Sequence, residues 1–136
     1  MKKQAKHGRP TGLSHIGSNG GARMVDVSGK AVTTRLARAE AYVEVGSALA
    51  RRLKAAGGIS KGSVIEAARI AGIMAAKRTG DLIPMCHPLV LEHVGVDVTI
   101  MRDKLRVEAV VSTCSRTGVE MEAMTAAAVT ALTIYD

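Results

Sequence analysis

The chain has 136 residues, a formal net charge of +7 and 47% hydrophobic residues, with no Phe, no Trp and two Tyr. That length supports a single domain whose core must be built from Val, Ile, Leu, Met and Ala. The positive charge favours an anionic partner, and the near absence of aromatics disfavours single-stranded nucleic acid, which is normally held by base stacking; a nucleotide or phosphate ester fits better.

Cys86 and Cys114 are far apart and form neither a metal-ligand spacing nor a disulfide framework. No apolar run is long enough to span a bilayer, and Met1-Lys2-Lys3 leads into no apolar stretch of a secretory signal. A reduced cytoplasmic setting, without a membrane partner, is the expectation.

Residues 1–22 carry Lys2, Lys3, Lys6, His7 and Arg9 and a Ser18-Asn19-Gly20-Gly21 cluster without apolar periodicity. They read as a flexible basic arm ahead of one α+β domain over 23–136. Residues 37–45 alternate Ala37, Ala39, Ala41, Val43 and Val45 with Arg38, Glu40, Tyr42 and Glu44, the period of a half-buried strand. A short helix follows over 47–56, ending at Gly57-Gly58. Ser63 and Glu66 have the spacing of a capping box for a helix over 64–78, with Gly80 as its left-handed C-terminal residue. Lys61 precedes that helix, where a cation opposes the helix dipole; it reads either as a group for an anionic ligand or as a solvated lysine.

In the stretch from Thr79 to Leu89, Pro84 and Pro88 fix their own φ and push Ile83 and His87 towards extended geometry. Cys86 and His87 therefore sit in a stiff, non-repetitive segment, suited to holding an imidazole in place or simply to connecting two elements. Val90, Val94, Val96, Val98 and Ile100 then mark one strand face, Arg102-Asp103-Lys104 a turn, and Leu105, Val107, Ala109 and Val111 the face of a second strand. Thr117 and Glu120 form a second capping-box pattern before an alanine-rich helix over 119–135, apolar enough all round to be buried, in part by another subunit. Glu120 and Glu122 in its first turn point to different sides, one to cap and one to face a site. The order β-α-β-β-α lacks one strand of the split βαβ pattern, so an α+β, ferredoxin-like antiparallel sheet with helices on one face is expected, its last strand missing.

Several long segments resemble the MoaC family of cyclic pyranopterin monophosphate synthases. They are Met24-Val25-Asp26-Val27-Ser28-Gly29-Lys30, Ala67-Ala68-Arg69-Ile70-Ala71-Gly72-Ile73, Ala75-Ala76-Lys77-Arg78-Thr79 and Asp81-Leu82-Ile83-Pro84-Met85-Cys86-His87-Pro88-Leu89. Thr117-Gly118-Val119-Glu120-Met121-Glu122-Ala123 and Ala131-Leu132-Thr133-Ile134-Tyr135-Asp136 complete the set. Their shared order over residues 13–136 makes the resemblance far more specific than one short motif. It implies a lyase of molybdenum cofactor biosynthesis that converts 3′,8-cyclo-7,8-dihydroguanosine 5′-triphosphate to cyclic pyranopterin monophosphate and pyrophosphate. It further implies no redox cofactor, and a homohexamer of three dimers with active sites between subunits.

By motif, the resemblance assigns Lys61, His87 and Asp136 to catalysis. It assigns Met85, Cys86, His87, Glu120, Met121 and Glu122 to substrate contact, and Lys30 and Arg35 to basic positions near the substrate. The family continues past the match to Asp136 with a second catalytic lysine and a last strand that this chain lacks, so the expectation is that the sequence omits a C-terminal part. The alternative reading is a basic α+β module that binds a nucleotide or RNA without catalysis. A further one is a structural oligomer that has lost catalysis.

Overall fold

The computed structural model describes residues 13–55 and 64–136. The elements run β1 (Thr33–Glu44), α1 (Gly46–Ala55), α2 (Val64–Ala76), α3 (Thr79–Leu82), β2 (His93–Ile100), β3 (Lys104–Ser115) and α4 (Glu120–Tyr135). The strands form one sheet of order β1-β3-β2, antiparallel throughout, with Ala39 opposite Ala109 and Val96 opposite Ala109. Leu105, Val107, Ala109, Val111 and Thr113 of β3 are buried at every second position, as the alternating pattern requires. This is the expected ferredoxin-like, split βαβ arrangement.

Helices α2 and α4 cover one face of the sheet. The core lies between them and the strands, formed by Ala76, Val96, Val107, Ala109, Ala126 and Ala127. Small side chains let the two helices approach closely. A Cβ added at Gly72 would overlap Thr130 Oγ1 and lie 2.9 Å from the Ala126 carbonyl oxygen. Gly72 therefore meets Ala126 and Thr130, while Ala76 and Lys77 share a small hollow with Glu122. As α2 advances, its partners on α4 recede, so the helices are antiparallel. The start of α2 thus lies at the Asp136 end of α4.

The other sheet face carries charge. Arg106 bonds the carboxylates of Glu40 and Glu108, the latter at 2.6 Å, and Lys104 lies 5.0 Å from the centre of the Tyr42 ring. Glu40 and Glu108 are directly opposed in the register, and Arg106 offsets the repulsion that pairing would otherwise carry.

Three local expectations are corrected. Gly80 does not end α2 in a left-handed conformation: the positive-φ glycines among the described residues are Gly20 and Gly46, and Gly80 lies inside α3. Its small size matters instead, because a Cβ there would come within 3.3 Å of Pro88 Cα. Thr117 does not cap α4; Val119 is the N-cap residue and makes no side-chain cap bond. β2 starts at His93 rather than near Val90, which is highly exposed. The expected Gly57-Gly58 stop, the Ser63–Glu66 capping box and residues 1–12 of the basic arm involve positions outside the described residues. No helix among the described residues is long and apolar enough to cross a membrane.

Candidate active site

The stiff segment after α2 is sewn to the body at both ends. The buried Thr79 hydroxyl donates to the Ala76 carbonyl at 3.0 Å, and Ile83 N–H donates to Thr79 O at 2.9 Å. Cys86 N–H donates to Ile83 O at 3.0 Å, closing a turn through Pro84 and Met85. Beyond Pro88, the Thr113 hydroxyl donates to the Val90 carbonyl at 2.6 Å, and Glu92 N–H to Ser112 O at 3.0 Å. Met85, Cys86 and His87 are thus presented at the end of β3, beside the first turn of α4.

A cavity of about 280 Å³ opens there. The segment after α2 supplies Met85, Cys86, His87 and Leu89, and the approach to α4 supplies Thr117, Gly118, Glu120, Met121 and Glu122. The N-terminal segment supplies Ser14, His15, Val25, Val27 and Lys30. Among the contacts that shape this last wall, Asp26 Oδ1 accepts from Ser28 N–H at 2.9 Å, and Arg116 Nε donates to the Lys30 carbonyl at 3.2 Å. The Ser28 hydrogen bonds, helped by the nearby His87 imidazole, hold the Asp26 carboxyl below its usual range.

The groups differ in how they hold protons. Burial pushes the Glu122 carboxyl up, against its bond to its own backbone N–H, and the charge of Glu120 pushes the same way. Burial and the Glu122 charge likewise raise the Cys86 thiol, so it is a poor thiolate source. The cavity therefore combines a carboxyl biased by burial towards its protonated form, the His87 imidazole and the Lys30 amine. Among the described residues no group of three or more His, Cys, Asp and Glu side chains has a metal-binding arrangement.

The structure brings together Lys30, Met85, Cys86, His87, Glu120, Met121 and Glu122 of the sequence-derived candidates. Arg35 does not line the cavity. It projects from β1 on the helix-covered face opposite the buried Thr113, with its Nε buried and unpartnered. Asp136 is not in the cavity either: it follows the last residue of α4, exposed, with its N–H bonded to Leu132 O at 3.0 Å. The sixteen residues of α4 separate it from Glu120 by about 24 Å along the helix axis. Lys61 lies outside the described residues.

Sequence reasoning missed Ser14, His15, Val25, Val27, Leu89, Thr117 and Gly118 as lining residues. The signal available for the first two was Asn19-Gly20, a turn dipeptide that folds the chain back on itself.

Residues 24–136 match the sequence model of the MoaC family. Over 125 residues the chain is 54% identical to a protein of Mycobacterium tuberculosis named cyclic pyranopterin monophosphate synthase 1, covering 91% of this chain and 73% of that protein. Proteins named cyclic pyranopterin monophosphate synthase from Streptomyces griseus and Novosphingobium aromaticivorans are 53% and 52% identical over 124 residues. Each alignment covers 91% of this chain, and 70% and 78% of those proteins respectively.

Proposed function

This chain belongs to the MoaC family, and from that premise we propose that it is a lyase of molybdenum cofactor biosynthesis. It converts 3′,8-cyclo-7,8-dihydroguanosine 5′-triphosphate to cyclic pyranopterin monophosphate with release of pyrophosphate, and it works in the cytoplasm. The observation that carries this reading is the cavity at the first turn of α4, where His87, Cys86, Glu122 and Lys30 converge.

The chemistry asks for proton transfers during ring opening and imine formation, then for attack of a ribose-derived hydroxyl on the α-phosphorus. The bond from that phosphorus to the bridging oxygen breaks and pyrophosphate departs. His87 accepts and returns protons, and Glu122, biased towards its protonated form, donates one. Lys30 lies against the phosphates, where a positioned cation stabilises the charge gathering on the leaving group.

The described residues of one chain do not bring Asp136 to this cavity. Among the described residues the cavity holds Lys30 beside Glu120, a sparse set of cations for a triphosphate. Asp136 stands at the other end of α4. The reading that reconciles these positions is a homo-oligomer, a hexamer of three dimers. In it the His87 half of one subunit meets the Asp136 half of another.

The test is pyrophosphate release from the cyclised nucleotide by wild type and by His87→Ala. A positioned acid–base group contributes roughly 10²–10⁴-fold, so His87→Ala is expected to lose about that much in kcat while melting like wild type. Equal rates for the two proteins would remove His87 from the chemistry. Absence of turnover by wild type, with salt-sensitive RNA binding in its place, would favour a binding module instead.

A further inference from the structure

Among the described residues two imidazoles line the cavity, and His87 lies within residues 24–136 matched by the family's sequence model. The other, His15, precedes them and sits at the mouth of a closed turn. Gly17 N–H donates to Gly21 O at 2.8 Å, Gly20 N–H to Gly17 O at 2.9 Å, and Gly21 N–H to Asn19 Oδ1 at 3.0 Å. Gly20 has φ +78°, which its lack of a Cβ permits.

His15 and Arg23 then clasp the ends of the turn. Arg23 N–H donates to His15 O at 2.9 Å, and the His15 ring lies with Nδ1 3.3 Å from Arg23 O. A carbonyl oxygen only accepts, so Nδ1 carries the hydrogen in this contact. In the neutral ring that commitment leaves Nε2 with a bare lone pair. A lone pair repels phosphate oxygens and attracts N–H and O–H donors. The apolar members of the same cavity, Val25, Val27 and Leu89, offer surface to a flat ring, and Lys30 offers charge to phosphate.

We propose that His15 is a substrate-binding residue of this site, its Nε2 accepting a hydrogen bond from an N–H of the purine-derived ring. The role rests on the reading of the cavity as the place of a guanosine-derived triphosphate. It separates two tasks: His15 reads the heterocycle, and Lys30 meets the phosphates. The competing description is a surface histidine that does no more than close the turn through Nδ1.

His15→Asn separates these, because the Asn amide nitrogen reproduces the Nδ1 donor and nothing replaces Nε2. His15→Gln does the reverse, placing its amide near the Nε2 position. The expected result for His15→Asn is a KM for the cyclised nucleotide raised about tenfold, with kcat changed far less, the size of one lost hydrogen bond to ligand. His15→Gln should recover part of that loss. A His15→Asn protein with wild-type KM, beside an active wild type, overturns the inference alone. A wild type that neither binds GTP nor turns over the cyclised nucleotide overturns the functional reading, and this inference with it. Should His15→Asn fold poorly, the imidazole ¹⁵N resonances of the wild-type protein are followed on adding GTP: a shift at His15 Nε2 supports the role, and an unmoved resonance under saturating GTP overturns it.

Discussion

Glu122 is only 4% exposed, yet it lies on the cavity wall and also borders the hollow beneath Gly80 and Pro88. Burial raises its folded-state pKa, so its ionised form is disfavoured by folding. The contribution to stability is complete below the ordinary carboxylate pKa of about 4.3 and is lost as pH rises through the raised folded value. Glu122→Gln removes that penalty and keeps the shape. It should raise the melting temperature by a few degrees at pH 7–8, and the difference should vanish near pH 4. A thermal melt series from pH 4 to 8 checks this; a Gln variant less stable at every pH would show that the carboxylate is well compensated. The same substitution should lower turnover, the trade expected where a site keeps an unfavourably buried group. At this scale the sequence was readable where covalent geometry dictates the outcome: Pro84 and Pro88 marked the segment that presents His87. It was silent about His15, whose place depends on one clasp to Arg23 eight residues away.

Among the elements, the α2–α4 contact sets how the domain packs. Gly72 is the point of closest approach, with Thr130 and Ala126 directly opposite. Thr130 cannot easily turn aside, because its hydroxyl already donates to Ala126 O at 2.8 Å and its side chain is fully buried. Gly72→Ala should therefore cost about 1–3 kcal/mol, the usual penalty for overpacking, despite the better helix propensity of alanine. Urea denaturation measures it, and an unchanged or raised midpoint would mean that the helices separate freely. The strands were legible because Leu105, Val107, Ala109 and Val111 obey the pleat. The cap of α4 was not, because the Thr117–Glu120 spacing states an opportunity, and the folded chain uses Val119 as N-cap while Glu122 bonds its own N–H. The helical turn at Thr79–Leu82 was hidden for a related reason: the Thr79 hydroxyl and Pro88 packing on Gly80 hold it, and neither has a periodicity to read.

For the whole molecule, the question is which chain supplies each half of a reaction centre. If His87 and Asp136 act together across a two-fold interface, each inactive variant retains the half that the other lacks. Mixing His87→Ala and Asp136→Asn chains under conditions that exchange subunits should return about a quarter of wild-type activity: half the dimers are mixed, and each has one intact site of two. Neither variant alone should recover, and a mixture as inactive as its components would place both residues in the same chain's site or in none. Family-level resemblance supplied the expectation of shared sites, and alanine content hinted at a buried α4. Composition and periodicity contain nothing about which end of α4 lies beside the start of α2, since that depends on the antiparallel packing of the two helices.

The sixteen residues of α4 gain a second meaning from this arrangement. Under the proposed pairing of subunits, a helix with one reaction centre at its first turn and half of another at its last acts as a ruler. Inserting or deleting one residue in its middle would swing one end about 100° relative to the other and change their separation by about 1.5 Å, although the helix itself would remain sound. Two centres would be spoiled by a change that touches neither. Under that pairing the length of α4 is constrained together with the identities of Ala126 and Thr130, the residues that meet Gly72.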